Sequence, residues 1–153
     1  MPIALTDILE ERQIALQLRS RRKGNALREI VDLCRPTQTI REPDRFLEQV
    51  FAREQASSTL AENGVAFPHA RTDLVNRIVV AVGRSRAGIP WNEIGDRARL
   101  IFVVAVPQQL VTDYLVFVGA LARITKDRER RNALLSATTA AEFVETLLNT
   151  QSL

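Results

Sequence analysis

The one histidine of the chain, His69, follows an Asn-Gly turn and a proline in the stretch Asn63–Arg71. Proline fixes its own φ angle and keeps the residue before it out of helical geometry, so Phe67 and Pro68 are predicted to be extended. His69 is therefore expected where a short strand ends, presented rather than packed. Imidazole has an unperturbed pKa of about 6.5 and can be a neutral nucleophile near pH 7. Isolated histidines are also often surface or hydrogen-bonded core residues, and His69 alone leaves both interpretations open.

Several motifs around His69 occur in an order and spacing that resemble a known family. They are Arg53-Glu54, Ser58-Thr59, Asn63-Gly64-Val65-Ala66-Phe67-Pro68-His69-Ala70, Gly88-Ile89-Pro90-Trp91, and the apolar run 100–106 before Pro107. The set, which extends from Gln13 to Leu148, resembles the IIA domains of the mannitol/fructose type in the bacterial phosphotransferase system. The resemblance implies a mixed sheet flanked by helices and a phosphoryl group carried on His69.

Phosphoryl transfer also needs donors that spread the charge of the moving group. Within the resemblance, Arg53 is the main candidate, because a guanidinium offers a bidentate fork to phosphate oxygens and is always charged. Ser58 and Thr59 are candidates for further hydroxyl or backbone donors. The alternatives are that Arg53 is a solvated residue closing a helix, and that Ser58 and Thr59 only shape their loop. Arg71 is interpreted as a surface arginine beside the site.

Two residues depart from the family pattern. Leu60 stands where a glycine usually follows Ser-Thr, and Tyr114 stands near the position of a second histidine in many members. A tyrosine, with a pKa of about 10, is neutral at pH 7 and donates one O–H hydrogen bond. We hypothesise that Tyr114 contacts the phosphoryl group from the first turn of a helix. The alternative is that its ring packs beneath the loop.

The inventory of reactive residues excludes several other functions. A single histidine and a single cysteine, Cys34, supply too few ligands for a metal site and too few partners for a cysteine protease. The six glycines are scattered and form no nucleotide-binding fingerprint. No metal, cofactor or nucleotide site is therefore predicted. The resemblance implies that the phosphoryl donor is a histidine phosphocarrier protein.

The composition predicts a globular domain in the cytoplasm. The chain has 153 residues, 46% hydrophobic and 25% charged, which suits one domain with a sizeable core. Its longest apolar runs, 78–82 and 100–106, are far shorter than the roughly 20 residues of a membrane helix. No secretory signal is recognised at the N-terminus, and a lone Cys34, predicted to be buried, agrees with a reducing compartment.

The formal charge of +3 raises the question of nucleic-acid binding. The basic residues concentrate in 19–23 and 126–131, where the second run is interrupted by acidic residues. No aromatic residues alternate with them to stack bases, so solvated faces are the preferred interpretation and no nucleic-acid partner is predicted. A positive surface could equally recruit an acidic protein partner.

The elements that position these residues alternate between strands and helices. Strands are predicted at 13–18, before His69, at 78–83 and at 100–106. Helices are predicted at 26–34, 43–54, 114–125, 127–135 and 140–148. Pro36 is expected to end the first helix, Thr112 or Asp113 to cap the third, and Thr138 or Thr139 to start the last. Residues 84–99 are predicted to be a turn-rich loop anchored by Trp91. The helix 114–125 is nearly all apolar and is expected to lie buried. Residues 1–12 are assigned to an N-terminal arm and 13–150 to the domain.

Strands that are apolar on both faces indicate a sheet covered on both sides. The predicted fold is therefore a single α/β domain with a mixed β-sheet flanked by helices on both faces. The preferred hypothesis is a phosphoryl-accepting protein of the nitrogen-regulatory branch that acts mainly as a regulator, because no membrane segment or permease domain is seen. One alternative is a non-catalytic binding module of the same fold. Another is a fructose- or mannitol-specific component that serves a separate permease.

Overall fold

A computed structural model describes residues 8–61 and 63–149. The helices are α1 (Lys23–Asp32), α2 (Cys34–Thr37), α3 (Pro43–Ala56), α4 (Val111–Lys126), α5 (Arg128–Ser136) and α6 (Ala140–Asn149). The strands are β1 (Ile14–Ala15), β2 (Val65–Ala66), β3 (His69–Thr72), β4 (Val79–Pro90) and β5 (Arg97–Pro107). Most of the proposed N-terminal arm, residues 1–7, lies outside the described residues, and a 3₁₀ turn at Glu11–Gln13 precedes β1.

The five strands form one mixed sheet with β4 and β5 at its centre. These two strands pair antiparallel, β1 adds parallel to the outer side of β4, and β2 and β3 both add parallel to β5. Apolar side chains on one face pack under α1 and α3, and those on the other face pack under α4, α5 and α6. The predicted α/β fold, a mixed sheet with helices on both faces, is confirmed.

Strands β2 and β3 are two halves of one interrupted edge strand. Val65 pairs with Leu100 and His69 with Val104, so the register does not change across the break. The break falls at Pro68 because proline has no N–H to donate to the ladder. Its carbonyl still accepts the N–H of Val104 at 2.9 Å. His69 thus opens the second half of the strand, whereas the sequence placed it after the strand had ended.

The two N-terminal elements differ from their predicted bounds. The strand predicted at 13–18 is reduced to β1, since the side chain of Gln13 is buried and donates to the carbonyl of Val80 at 2.8 Å. Helix α1 begins at Lys23, three residues before the predicted start, and ends at Asp32. Pro36 does not end it but lies within α2, where a four-residue helix needs no N–H at that position.

The most substantial error concerns residues 84–99, which are mostly strand rather than loop. Strand β4 continues to Pro90 and β5 begins at Arg97, with a register shift between Arg84 and Ile89. Gly88 has a φ of 83° in this irregular segment, which explains why its sequence resembles a turn. The predicted anchoring role of Trp91 is confirmed, because the indole is buried in the core.

Helix α4 also differs from its prediction. It begins at Val111 without a side-chain cap, so Thr112 and Asp113 lie inside the first turn instead of preceding it. Leu115 and Val116 are 63% and 57% exposed. The expectation that this apolar helix lies buried is therefore wrong for one of its faces. By contrast, α6 starts as predicted at the two threonines.

Candidate active site

The backbone around His69 fixes which ring nitrogen is free. Nδ1 lies 2.9 Å from the carbonyl oxygen of Phe67. A carbonyl only accepts hydrogen bonds, so Nδ1 carries the proton and Nε2 keeps its lone pair. Phe67 is itself held in place, since its ring stacks on Phe102 of β5 with centroids 5.6 Å apart. The extended backbone before Pro68 thus presents His69 in a defined tautomer.

The surroundings of His69 favour its neutral form. Partial burial lowers the pKa of the imidazole below its ordinary value, and the charge of Arg53 lowers it further. The bond to the Phe67 carbonyl and the charge of Glu54 act in the opposite direction. Since the net shift is downward, the ring is neutral at pH 7 and Nε2 is available as a nucleophile.

Arg53 lies at the end of α3, as the sequence predicted, and its charge reaches the site. It is half-buried, and Nη1 donates to the carbonyl of Ser57 at 2.9 Å. Its charge lowers the pKa of both His69 and Tyr114. One guanidinium nitrogen thus closes the C-terminal turn of α3, and the charge of the group acts on both rings.

Beside Arg53, the buried carboxylate of Glu54 organises the loop that follows. It forms an ion pair with Lys23 at 3.0 Å. It also accepts hydrogen bonds from the backbone N–H of Thr59 and from the Thr59 hydroxyl. Thr59, a predicted phosphate-stabilising residue, is thus bound to Glu54, and its hydroxyl proton is directed to that carboxylate.

The other residues of this loop have local roles in the structure. The hydroxyl of Ser58 is exposed and accepts the N–H of Leu60 at 3.2 Å. Leu60 is partly buried and packs against the core beneath α3, forming an isolated bridge with Ala66. Arg71 is exposed on β3, two residues beyond His69. These contacts do not link Ser58 or Arg71 to the imidazole.

Tyr114, in the first turn of α4, contacts His69 directly. The two ring centroids are 4.9 Å apart, and the rings are tilted by 36°. Burial raises the pKa of the phenol, an effect that Arg53 partly opposes, so Tyr114 is neutral at pH 7. The structure therefore brings together His69, Arg53 and Tyr114, with Thr59 connected through Glu54.

Sequence reasoning missed two groups in this arrangement. The Phe67 carbonyl is invisible to side-chain motifs, although an extended residue before proline is a signal that its carbonyl is not used in a helix. Glu54 stood in the Arg-Glu motif but was assigned no role. The signal available was a glutamate near the end of a predicted helix, directly after the candidate phosphate ligand Arg53 and before a small, polar loop.

The arrangement suits transfer of an anionic group to nitrogen. It combines an unprotonated nucleophile, an adjacent guanidinium and a neutral phenol. Among residues 8–61 and 63–149, no three His, Cys, Asp or Glu side chains are grouped so that they could hold a metal ion. Cys34 takes no part, because burial raises the pKa of its thiol to about 11.

Comparison with known proteins agrees with this geometry. The sequence model of the family "Phosphoenolpyruvate-dependent sugar phosphotransferase system, EIIA 2" matches residues 7–150. The chain belongs to this family and is a phosphoryl-transfer domain of the phosphotransferase-system EIIA type. The resemblance identified from the motifs around His69 is confirmed.

Individual relatives include both fructose-specific components and nitrogen regulatory proteins. A fructose-specific EIIA component of Haloferax volcanii is 32% identical over 116 residues, which are 75% of each chain. A fructose-specific EIIABC component of Bacillus subtilis is 29% identical over 134 residues; the match covers 87% of this chain and 21% of that protein's length. The crystal structure of the nitrogen regulatory protein IIA-Ntr from Neisseria meningitidis superposes with a TM-score of 0.84 at 27% identity, covering 92% of this chain and 97% of that one.

Within the described part of the chain, no helix is long and apolar enough to cross a bilayer.

Proposed function

We propose that this domain accepts a phosphoryl group on Nε2 of His69 from a histidine phosphocarrier protein and acts mainly as a regulator. The observation that carries the proposal is the hydrogen bond of 2.9 Å between Nδ1 and the Phe67 carbonyl. It leaves the lone pair of Nε2 free in a ring that is neutral at pH 7. Membership of a phosphoryl-transfer family supports the same chemistry.

The transfer step is balanced without any further reactant. The Nε2 lone pair attacks the phosphorus of a donor phosphohistidine, and the bond from phosphorus to the donor nitrogen breaks. The electron pair of that bond returns to the donor ring. The ring of His69 then gains positive charge, which the Phe67 carbonyl stabilises by accepting the Nδ1 proton in a hydrogen bond.

Arg53 is the residue proposed to disperse the negative charge of the moving group. Its charge already acts on both His69 and Tyr114 in the unphosphorylated protein. A charge-assisted hydrogen bond from a guanidinium to phosphate is among the stronger interactions available to the site. Thr59, Ser58 and Tyr114 are proposed as further donors; Thr59 would exchange its bond to Glu54 for one to phosphate.

The surface for the donor protein is proposed to include the exposed face of α4. Leu115 and Val116 directly follow Tyr114, whose ring contacts His69. Large exposed apolar side chains next to a reactive group favour a protein partner that covers them during transfer. The predicted cytoplasmic location belongs to this proposal.

The decisive experiment is incubation of the protein with a phosphorylated phosphocarrier, followed by intact-mass measurement. We expect a gain of one phosphoryl group that is lost in acid and retained in base, as expected for a phosphoramidate. His69→Ala should remain folded and gain no mass. Labelling of His69→Ala equal to that of the unsubstituted protein would refute the assignment.

A second candidate function is a non-catalytic regulatory module of the same fold. The observation in its favour is that the neutral ring of Tyr114 packs on His69 where many relatives are expected to have a second histidine. The mass measurement separates the two candidates, since the module would bind its partner without gaining phosphate. The fructose-specific relatives keep a sugar-transport role as a third possibility, which a phosphoryl acceptor assay with sugar-specific partners would test.

A further inference from the structure

A second concave surface lies far from His69 along the sheet. One of its walls is the segment 16–21, and the other is the irregular part of β4 around residues 84–90. The register shift between Arg84 and Ile89 leaves residues 85–88 outside the regular ladder, and these residues form part of the second wall. The groove has a volume of about 680 Å³.

We name this surface the arginine groove, because the lining includes the arginines Arg19, Arg21, Arg84, Arg86 and Arg97 and no Asp or Glu. Arg84 is buried, and its guanidinium donates to backbone carbonyls. The other four side chains belong to exposed residues. Arg97 also lines an adjoining groove with Arg99 and Arg131, so the two grooves meet at this residue.

Among the exposed arginines of the groove, Arg97 donates a hydrogen bond to the carbonyl of Gly88 at 3.1 Å. Across 8–61 and 63–149, no salt bridge includes Arg19, Arg21, Arg86 or Arg97. Glu29 accepts hydrogen bonds from the backbone N–H groups of Arg19 and Ser20. In the adjoining groove the acidic residue is Asp96, which is held by Asn92. A groove whose lining holds five arginines and no Asp or Glu indicates a surface that binds an anion.

The arginine groove is separate from the candidate active site. Arg97 and Val104 lie on the same strand, β5, and Val104 pairs with His69. Seven residues of strand correspond to a separation of about 23 Å. A molecule bound in the groove would therefore leave His69 accessible to a phosphocarrier.

The lining favours carboxylates over nucleic acid. Arginine forks pair in a bidentate manner with carboxylates and with phosphates, so the choice between the two depends on the other lining residues. Single-stranded nucleic acids are usually held by stacking on aromatic side chains as well as by charge, and neither groove is lined by Phe, Tyr or Trp. Between a protein and a nucleic acid, the chemistry of the groove therefore points to a protein.

We propose that the arginine groove binds an extended, acidic segment of a partner protein through its Asp and Glu side chains. This inference goes beyond the proposed function, and it does not depend on phosphorylation of His69. It supplies a chemical class for a regulated partner: a protein with several carboxylates in one exposed stretch.

The test uses the full chain and a fluorescein-labelled decaglutamate peptide, with binding followed by fluorescence anisotropy. We expect binding at about 50 mM salt that weakens at about 150 mM, because exposed charges are screened. The double variant Arg21→Glu/Arg86→Glu should bind about tenfold or more weakly, since each reversal replaces an attraction by a repulsion. Neither side chain makes a hydrogen bond within the described part of the chain, so the fold should be retained.

The matched control is Arg45→Glu/Arg71→Glu, which changes the net charge equally at exposed sites outside the groove. It should bind the peptide nearly as well as the unsubstituted protein, and so should His69→Ala. Equal loss in both double variants would overturn the proposal in favour of attraction by net charge. Absence of binding at low salt would also overturn it.

Two further measurements complete the test. An oligothymidylate of equal charge should bind more weakly than the peptide; tighter binding that is lost in Arg21→Glu/Arg86→Glu would overturn the proposal in favour of nucleic acid. Amide NMR shifts of the unsubstituted protein should change in residues 16–21 and 84–90 when peptide is added. Shifts confined to the surroundings of His69 would place the peptide elsewhere and refute the groove.

Discussion

Helices α3 and α4 flank the candidate site but distribute their apolar residues in opposite ways. In α3, Phe46, Leu47 and Val50 are buried, and the outward face is mostly polar. In α4, burial of Phe117 and Leu121 still leaves an exposed apolar face. Helix α3 thus buries its apolar side chains within the domain. Helix α4 carries more of them than the sheet can cover.

The ends of the two helices differ as well. Helix α3 brings charged groups to the site at its C-terminus, Arg53 and Glu54, and the carboxylate pairs with Lys23 and accepts hydrogen bonds from Thr59. Helix α4 brings the neutral Tyr114 at its N-terminus. We conclude that α3 supplies structure and charge, whereas α4 supplies ring contact and the exposed apolar face that is proposed to meet a partner. The following predictions test this division.

The largest expected difference is in stability. Phe46→Ala should lower the free energy of unfolding by about 3–5 kcal/mol, because it leaves a cavity in the core. Leu115→Ala should change it by less than about 0.5 kcal/mol, since the side chain is mostly exposed. Urea unfolding measures both. In the phosphorylation assay Leu115→Ala should raise the KM for the phosphocarrier. A stability loss in Leu115→Ala as large as in Phe46→Ala would contradict the division.

Arg53 should matter to transfer more than to folding. A charge-assisted contact contributes about 1.5–3 kcal/mol, so Arg53→Ala should slow phosphorylation by about one to two orders of magnitude. Arg53→Lys should recover part of the rate, because it keeps the charge and loses the fork. The control is the urea midpoint, which should fall little when the bond to Ser57 is lost. An unchanged rate, or an unfolded Arg53→Ala, would assign Arg53 to the scaffold.

The pKa of His69 should depend on Arg53 of α3 and not on the hydroxyl of Tyr114 in α4. As the only histidine, His69 can be followed by NMR without assignment ambiguity. Its pKa should lie below about 6.5 and should rise in Arg53→Ala, where one cause of the lowering is removed. Tyr114→Phe should leave it nearly unchanged. An unchanged pKa in Arg53→Ala would show that the guanidinium is not close to the ring.

The same shift predicts the direction of two pH effects. Below its folded-state pKa, His69 is protonated and Nε2 loses its nucleophilic lone pair, so phosphorylation should slow as the pH falls. The folded protein binds this proton more weakly than the unfolded chain does. Neutral His69 therefore contributes its full share to the free energy of unfolding above about pH 6.5, and this contribution is lost as the pH falls through the pKa of the folded state.

The smallest expected effect is at the hydroxyl of Tyr114. If it donates to the phosphoryl group, Tyr114→Phe should slow transfer up to about tenfold, since a neutral hydrogen bond contributes about 0.5–1.5 kcal/mol. Tyr114→His should accelerate transfer, because a histidine there can carry positive charge. Equal rates in all three proteins would show that Tyr114 serves only by packing its ring on His69.

Much of the fold was predictable because the relevant signals are local. The start of α3 at Pro43, the buried runs in β4 and β5, and the threonines at the start of α6 all follow from residues adjacent in sequence. The burial of Cys34 was predictable for the same reason, since it lies on an apolar stripe. The irregular part of β4 was not, because Gly88 and Pro90 are typical of turns and only pairing with β5 makes the segment a strand.

The sequence by itself determined the class of fold and the identity of the candidate nucleophile. The spacing of apolar residues indicated the fold class, and the single histidine after a proline indicated the nucleophile. Only the tertiary structure decided the tautomer of His69, the contact of Tyr114 with its ring and the exposed face of α4. The tautomer depends on the local path of the backbone at Phe67. The other two depend on how α4 docks on the sheet, far from His69 in sequence. The arginine groove likewise joins segments 16–21 and 84–90, which the pairing of β1 with β4 brings side by side.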